Sequence, residues 1–442
     1  MEIQLSEHFN YKKLLKFTFP SIIMIIFTSI YSVVDGLFIS NFVGKTAFTA
    51  VNFVMPMLMI MGAVGFMFGT GGSAIIAKTM GEGKPEEAKK QFSMLVYTSA
   101  IIGIVIAVLG IIFLRPVMSL LGAKGDMLDT CVVYGRIILC VLPAYVLQYA
   151  FQSFFITAEK PGLGLKVTVI AGVSNIVLDS LLVAVFPLGV IGAALATASS
   201  QCIGGIIPLI YFAKDNSSSL KLTKAKFNAK TVIAACVNGS SELLSNIAMS
   251  IVSMLYNVQL LKYAGDDGVA AYGVLMYVNM IFIAVFIGYS IGTAPVVSYN
   301  YGANNCVELQ SLRKKSLVII GTFSAVMFML AEVFARPLAM IFSSYDQALL
   351  DMTARAFFIY SFSFLFSGFG IWSSSFFTAL NNGPVSAIIS FLRTLVFQVT
   401  AVFIMPLVLG LDGIWLSIVI AEFLALVVAI IYLVTLRKKY RY

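Results

Sequence analysis

The stretch "FPSIIMIIFTSIYSVVDGLFIS", residues 19–40, determines the class of this fold. It is long enough to cross the apolar core of a bilayer as a helix, which takes about 20 residues. One residue in it, Asp35, is charged, and a carboxylate at the centre of such a helix costs about 2.5–3.5 kcal/mol on insertion scales. Because such a charge faces protein or water rather than lipid, Asp35 is a candidate functional residue.

The composition of the whole chain points to the same class. Of 442 residues, 60% are hydrophobic and 11% are charged, whereas soluble domains carry about 25% charged residues. The first apolar run is too long for a signal peptide and no small-residue cleavage pattern follows it, so we expect it to remain as a span. Five scattered cysteines lack the spacing of disulfide or zinc sites. The sequence therefore predicts an all-α integral membrane protein.

Apolar runs bounded by charges, glycine and proline predict twelve transmembrane helices. Their expected positions are 17–40, 48–77, 92–114, 131–156, 167–187, 190–213, 232–261, 269–299, 316–341, 353–379, 385–408 and 412–436.

The basic residues predict the orientation, since Lys and Arg concentrate on the cytoplasmic side. Most of the 29 fall in the tails and in alternate loops, with Arg393 assigned to one of these loops. Both termini are therefore expected in the cytoplasm. The net charge of +9 is spread over short segments without interleaved aromatic residues, which does not favour a nucleic-acid partner.

An internal repeat divides the chain into two parts. "FLRP" (113–116) matches "FARP" (334–337), and Gly81, Gly189 and Gly192 match Gly302, Gly410 and Gly413, all at an offset of 221 residues. These matches predict two parallel six-helix bundles, residues 1–213 and 231–442, joined by a polar cytoplasmic linker, 214–230. Because parallel repeats usually enclose a central cavity and alternate between two openings, we expect a transporter rather than a channel.

Five carboxylates fall within the predicted spans: Asp35, Asp179, Glu242, Glu332 and Glu422. Glu332 stands four residues before Arg336, a spacing that predicts a structural ion pair. Glu422 has no obvious partner. The five are functional suspects because charges within a membrane are costly.

Asp35 and Asp179 have polar neighbours at helical spacing. Tyr31 precedes Asp35 by four residues and Asn175 precedes Asp179 by four, so each pair shares a helix face. Thr197 in the next span adds a hydroxyl. These oxygen ligands suit Na⁺, and paired buried acids equally suit a proton; the remaining interpretation is a polar lock between helices. Pro20 can bend the first helix or form a static kink.

Motifs of enzymes are incomplete in this chain. "VGKT" (43–46) lacks the glycine that a phosphate-binding loop requires, since Ile39 stands there. The single histidine, His8, is interpreted as a solvated tail residue, and no Cys/His nucleophile arrangement exists. We therefore expect neither an enzyme nor a bound cofactor.

Three stretches give the chain a resemblance to a known family. Residues 19–40, "NIVLDSLLVAVFPLGVIGAALAT" (175–197) and "NGSSELLSNIAMSIVSMLYN" (238–257) resemble the multidrug and toxic compound extrusion (MATE) transporters, in particular the bacterial drug exporters. The resemblance implies a monomeric antiporter that expels small organic, often cationic, compounds in exchange for Na⁺ or H⁺.

The resemblance also implies roles for individual residues. Asp35, Asn175, Asp179 and Thr197 match the family's cation-responsive network in the N-terminal bundle, with Tyr31 beside it and Pro20 as the bending proline. Glu242 matches a C-terminal acid of one branch. The tenth-span aspartate of some members has no counterpart in residues 357–380, so an acid-pair site in the C-terminal bundle is not expected.

Two other transporter classes remain as alternatives. A flippase for lipid-linked saccharides or lipids would line its cavity with Arg and Lys, and the interiors of the predicted spans carry very few of these, since Arg136 and Arg393 lie nearer the span ends. The major facilitator architecture has a basic signature after span two, where this chain has "GEGKPEEAKK" (81–90). The favoured hypothesis is alternating-access antiport.

Overall fold

The computed structural model describes residues 3–343 and 347–442, and within these ranges the chain is helical without any strand. Ten of its helices are long and apolar enough to cross a membrane. A helix pair bent by 59°, Gly125–Cys140 with Leu142–Thr157, adds an eleventh span. The described part of the chain is therefore a multi-pass membrane protein.

The twelfth span is contained in the longest helix, Ala229–Gly302, which has 74 residues. A straight helix of that length would measure about 110 Å, several times the thickness of a bilayer core. The chain instead reverses at Gly265, whose φ of 62° and ψ of −151° are not helical. The rings of Tyr256 and Tyr272 consequently stack with their centroids 5.3 Å apart. The prediction of twelve spans is confirmed.

The twelve spans follow the predicted order. The first six are α1 (Tyr11–Phe38), α2 (Lys45–Gly81), α3 (Pro85–Leu120), α4 (Gly125–Cys140 and Leu142–Thr157), α5 (Pro161–Asp179) and α6 (Gly189–Ala213). The second six are α7 (229–264), α8 (266–302), α9 (Cys306–Ser343), α10 (Gln347–Tyr360 and Phe364–Ala379), α11 (Gly383–Phe391 and Phe397–Leu409) and α12 (Leu411–Thr435). Short π-helical turns follow α1 (Ile39–Val43) and α5 (Ser180–Val185) and interrupt α11 (Leu392–Val396), and the chain ends in a short helix, Arg437–Tyr440. We call α1–α6 the N-half and α7–α12 the C-half; residues 1, 2 and 344–346 lie outside the described residues.

The two halves contact each other reciprocally through glycines. A Cβ at Gly81 of α2 would lie 2.0 Å from the carbonyl oxygen of Tyr299, and a Cβ at Gly302 of α8 would lie 2.0 Å from the carbonyl oxygen of Lys78. Gly302 and Tyr299 are the counterparts of Gly81 and Lys78 at the offset of 221 residues. The corresponding ends of α2 and α8 therefore contact each other in the way that an approximate two-fold axis between the halves would produce.

Along α2, one helix face changes from packed to exposed. Near the end at Gly81 this face packs against the C-half, where Gly71 approaches Ala235 and Gly239 of α7. Toward the other end its positions become exposed, and they are Thr49, Asn52, Pro56 and Met59. Exposed positions of α8 occur at the matching offset, namely Ala270, Tyr277 and Met280. The close contacts between α2 and the C-half therefore lie toward the end that carries the chain termini, and the corresponding positions of α2 and α8 toward the opposite end are exposed.

The N-terminal tail reinforces the closed end, the end at which the halves are packed together. The Leu5 amide donates to Glu159 of the N-half at 2.7 Å, and the Phe9 amide donates to Glu308 of the C-half at 3.0 Å. His8 is 70% exposed, yet its Nδ1 lies 2.6 Å from the same carboxylate. Because Phe9 is fully buried, the tail is a bridge between the two halves.

Replacing Glu308 with glutamine should loosen this bridge. The amide retains one acceptor but loses the charge that faces His8 and the Phe9 amide, a contribution of about 1.5–3 kcal/mol for hydrogen bonds to a charged group. We expect faster proteolysis of the tail and a lower melting temperature. Glu87→Gln, at an exposed position, is the control, and an unchanged tail in the Glu308 variant would contradict the bridging role.

The predicted ion pair of Glu332 with Arg336 is wrong. Arg336 instead pairs with Asp351 of α10, with Nη2 3.2 Å from Oδ1, and Glu332 accepts a hydrogen bond from Ser361. Both side chains of α9 thus reach across to α10. A partner on the neighbouring helix replaces the partner at i+4, because tertiary packing of α9 on α10 places it within reach.

Candidate functional site

Close packing of α1 on α5 determines where the site forms. A Cβ at Gly172 of α5 would lie 2.5 Å from the Phe27 ring and 2.7 Å from the Tyr31 ring of α1. Only glycine leaves room for these two rings. Two helical turns further along both helices, the same packing brings Asp35 and Asp179 together.

The two carboxylates are buried and poorly compensated. Asp35 is 6% exposed and Asp179 is fully buried. Thr197 Oγ1 donates to Asp35 Oδ1 at 3.4 Å, a long hydrogen bond. Neither oxygen of Asp179 has a hydrogen-bond partner among the described residues. Because burial of charge without a partner is strongly unfavourable, the pair requires a proton or a cation.

The structure brings together the four residues for which the sequence predicts a cation site. Asn175, Asp179 and Thr197 all neighbour the Asp35 carboxylate. The Nδ2 atom of Asn175 is buried and has no partner in the part of the chain that the structure describes. The cluster offers oxygen ligands of the type that a hard monovalent cation takes, and no nitrogen or sulfur ligand.

Tyr31 lies on α1 one turn before Asp35, whereas Pro20 lies about 22 Å away along the same helix. The neighbours of the Tyr31 hydroxyl are Tyr149 and Gln148 of α4 as well as Asp35. Pro20 lies inside α1, which continues unbroken from Tyr11 to Phe38. Within the described part of the chain, no hydrogen bond joins Tyr31 to the Asp35 carboxylate.

Tyr134 of α4 is a site residue that sequence reasoning missed. Its hydroxyl oxygen is buried and has no hydrogen-bond partner among the described residues, and its neighbours include Asp35, Thr197 and Asp179. A hydroxyl at this position can donate to a carboxylate or contribute an oxygen to a cation. The available signal is a polar-tipped ring inside the predicted span 131–156.

Glu242 lies elsewhere, in the C-half. On α7 it is one turn beyond Asn238 and Gly239, which pack against α2. It is partly exposed and its carboxylate has no ion-pair partner within residues 3–343 and 347–442. This position places Glu242 next to the contact between the halves and within electrostatic range of Arg393 of the C-half.

A buried ion pair in the C-half corrects two sequence-based interpretations. Glu422 was without an obvious partner, and Arg393 was assigned to a cytoplasmic loop. Arg393 lies inside α11, within the π-helical turn, and its Nε donates to Glu422 Oε2 at 2.8 Å and to Oε1 at 3.1 Å. The two residues are 29 positions apart on neighbouring helices, a separation without a local sequence signature.

Comparison with known proteins places the fold among solved transporters. The "Crystal structure of MATE in complex with MaL6" superposes with a TM-score of 0.94 at 23% identity, covering 99% of this chain and 98% of that one. The structure "Outward-facing conformation of a multidrug resistance MATE family transporter of the MOP superfamily" gives a TM-score of 0.93 at 23% identity, over 99% and 98% of the two chains.

Curated relatives match over nearly the full length. "Multidrug export protein MepA" of Staphylococcus aureus (strain MRSA252) is 25% identical over 431 residues, 97% of this chain and 94% of that protein. The protein of the same name from Staphylococcus saprophyticus is 24% identical over 430 residues, with the same coverage.

The family comparison matches the chain in two segments. The MatE family matches residues 20–181 and again residues 243–404, which together make up most of the sequence. The first segment contains Asp35, Asn175 and Asp179, and the second contains Arg393. Transporters rather than enzymes make up this family. Together with the twelve spans, these matches show that the chain belongs to the MatE family of multi-pass membrane transporters.

Proposed function

We propose that this protein is a secondary multidrug exporter that expels organic cations by antiport with Na⁺ or H⁺. The observation that carries the proposal is the buried pair of Asp35 and Asp179, which has no basic partner among the described residues. The names of the staphylococcal relatives support the export of multiple drugs. An ion that neutralises this pair changes the relative free energies of the conformations in which the pair is buried or open. Such a change is what couples ion binding to transport.

Helix α1 connects the ion site to the contact between the halves. Asp35 belongs to α1, and the opposite part of α1 packs on α8, where a Cβ at Gly292 would lie 3.0 Å from Thr18. A change in how α1 packs at Asp35 therefore extends along one rigid helix to the contact between the halves. A ligand shifts such an equilibrium only by its differential affinity for the two states.

Orientation and substrate site follow from the same proposal. With both termini in the cytoplasm, the end at which the halves are packed faces the cytoplasm and the end with the exposed positions faces the outside. A cationic substrate would bind between the halves, where Glu242 provides a negative charge, and Asn246 and Met249 follow it on α7, with Met249 63% exposed. Thioether side chains adapt to substrates of different shape.

The driving force is sufficient for concentrative export. Each charge that enters down a membrane potential releases about 2.3 kcal/mol per 100 mV. At about 1.4 kcal/mol per factor of ten, each net charge that moves inward per cycle sustains a substrate gradient of about 40-fold at 100 mV. Export of a monovalent cation therefore draws on a second entering ion or on the concentration gradient of the ion.

The experiment is efflux of a fluorescent organic cation from proteoliposomes under an imposed Na⁺ gradient or an imposed pH gradient. Efflux that follows one of these gradients and stops when an ionophore dissipates it is the expected result. Translocation of a lipid-linked saccharide without cation efflux would instead establish the flippase alternative. That alternative needs free cations in the cavity, whereas Arg393 is neutralised by Glu422.

A further inference from the structure

The polar centres of the two halves are built on corresponding helices. In the N-half, α1, α5 and α6 carry Asp35, Asp179 and Thr197. Their counterparts in the repeat, α7, α11 and α12, carry Glu242, Arg393 and Glu422. On these corresponding helices each half thus has two intramembrane carboxylates, but only the C-half has a basic residue beside them.

Arg393 is held firmly in the C-half. Its side chain is 15% exposed and that of Glu422 is 3% exposed. Gly370 of α10 makes room for the arginine, because a Cβ there would lie 3.0 Å from Arg393 Cδ. The guanidinium is therefore positioned by α10 behind it and by Glu422 of α12 in front.

The charges of the two centres differ as a result. With every acid ionised, Asp35 and Asp179 give the N-half centre a charge of −2. In the C-half, Arg393 pairs with Glu422 and also lies within electrostatic range of Glu242, so that the two acids and the arginine together carry a charge of −1. Because the guanidinium is covalently part of the chain, it does not leave or exchange as a bound ion does.

We propose that Arg393 is a tethered counter-cation. Its covalently attached guanidinium neutralises Glu422, as an exchangeable Na⁺ or H⁺ neutralises the acids of the N-half. The C-half pair keeps a constant charge through the transport cycle, and ion exchange at a buried acid pair is confined to the N-half. This proposal rests on the proposed antiport function. Arg393 acts as a positioning residue that fixes how many ions the protein exchanges.

The experiment measures melting temperature against Na⁺ concentration, at constant ionic strength, and against pH. The parent protein carries Asp35→Asn and Asp179→Asn, which remove the N-half acids. Adding Arg393→Met leaves Glu422 buried without its counter-charge, so the protein should gain a new stabilisation by several degrees from added Na⁺ or from lower pH. Adding Glu422→Gln to that variant should remove the gain, and Arg393→Lys in the parent should not produce it.

Two outcomes would overturn the tethered cation. One is a folded Arg393→Met variant that shows no new ion-dependent or pH-dependent stabilisation. The other is a gain that persists after Glu422→Gln, since Glu422 would then not be the acid that Arg393 neutralises.

If the Arg393→Met variant fails to fold, replacing both members of the ion pair with neutral residues tests the tethered counter-cation. In the protein with intact Asp35 and Asp179, the double variant Arg393→Met with Glu422→Gln also has a constant charge in the C-half. It should keep the wild-type number of exchanged ions per substrate, and a changed number would contradict the proposal. Failure of the antiport function itself is a separate observation, namely gradient-driven efflux by the protein with Asp35→Asn and Asp179→Asn.

Discussion

Asp179→Asn is expected to lower gradient-driven efflux by about 100-fold or more while leaving the protein as stable as the wild type. The loss is large because truncating one partner of a buried charged interaction, here that between the site and its ion, costs about 2–5 kcal/mol. Stability is preserved because both oxygens of Asp179 lack hydrogen-bond partners among the described residues. The substitution removes a buried charge next to the like charge of Asp35.

The combination of lost transport and retained stability identifies a functional acid. A structural acid would show the reverse, since breaking its hydrogen bonds lowers the melting temperature before it affects coupling. The measurements are efflux from proteoliposomes and thermal unfolding in the same detergent without Na⁺. Asp267→Asn, at an exposed position, is the control. Full efflux by the Asp179 variant would contradict the coupling site.

Neighbours of the two acids should show graded effects. Thr197→Val removes one long hydrogen bond of 3.4 Å to Asp35, so we expect a loss of about tenfold or less. Tyr134→Phe removes a hydroxyl that has no partner among the described residues and tests whether this oxygen serves the ion. A shift in the Na⁺ or proton dependence of efflux, measured for each variant, would separate ion binding from packing.

The sequence contained most of the N-half site because intramembrane carboxylates are rare and costly. Asp35 and Asp179 stand out in apolar runs, and Asn175 follows from helical spacing. The twelve spans follow from hydropathy for the same reason. The packing that joins α1 to α5 was not predictable, since it depends on the missing side chain of Gly172 beneath Phe27 and Tyr31.

Interactions between distant positions were the ones that sequence reasoning could not place. The local rule of i+4 pairing assigned Arg336 to Glu332, whereas Asp351 on the next helix is the actual partner. Arg393 and Glu422 meet only because α11 and α12 are neighbours. The tail bridge joins Phe9 to Glu308 across 299 positions. Each contact depends on how helices are arranged, which hydropathy does not specify.

Gly302→Ala is expected to open the closed end of the molecule. Its Cβ would lie 2.0 Å from the Lys78 carbonyl oxygen and 3.0 Å from the Lys78 Cα. These are backbone atoms that no rotamer change can move, so α2 and α8 must separate by about 1 Å or more to restore normal contact distances. Because the halves are rigid helical bundles, this separation should shift the population toward a state closed at the other end.

Spin labels measure this shift in a background without the five native cysteines. The distance between labels at Lys84 and Asn305, at the closed end, should lengthen by several ångströms in the Gly302→Ala variant. The distance between labels at Asn52 and Tyr277, at the open end, should shorten. Gly162→Ala is the matched control, because a Cβ there meets no atom within 4 Å. If the closed-end distance stayed unchanged, the contact would be a local packing detail, whereas opposite changes at the two ends would make it part of the switch between two openings.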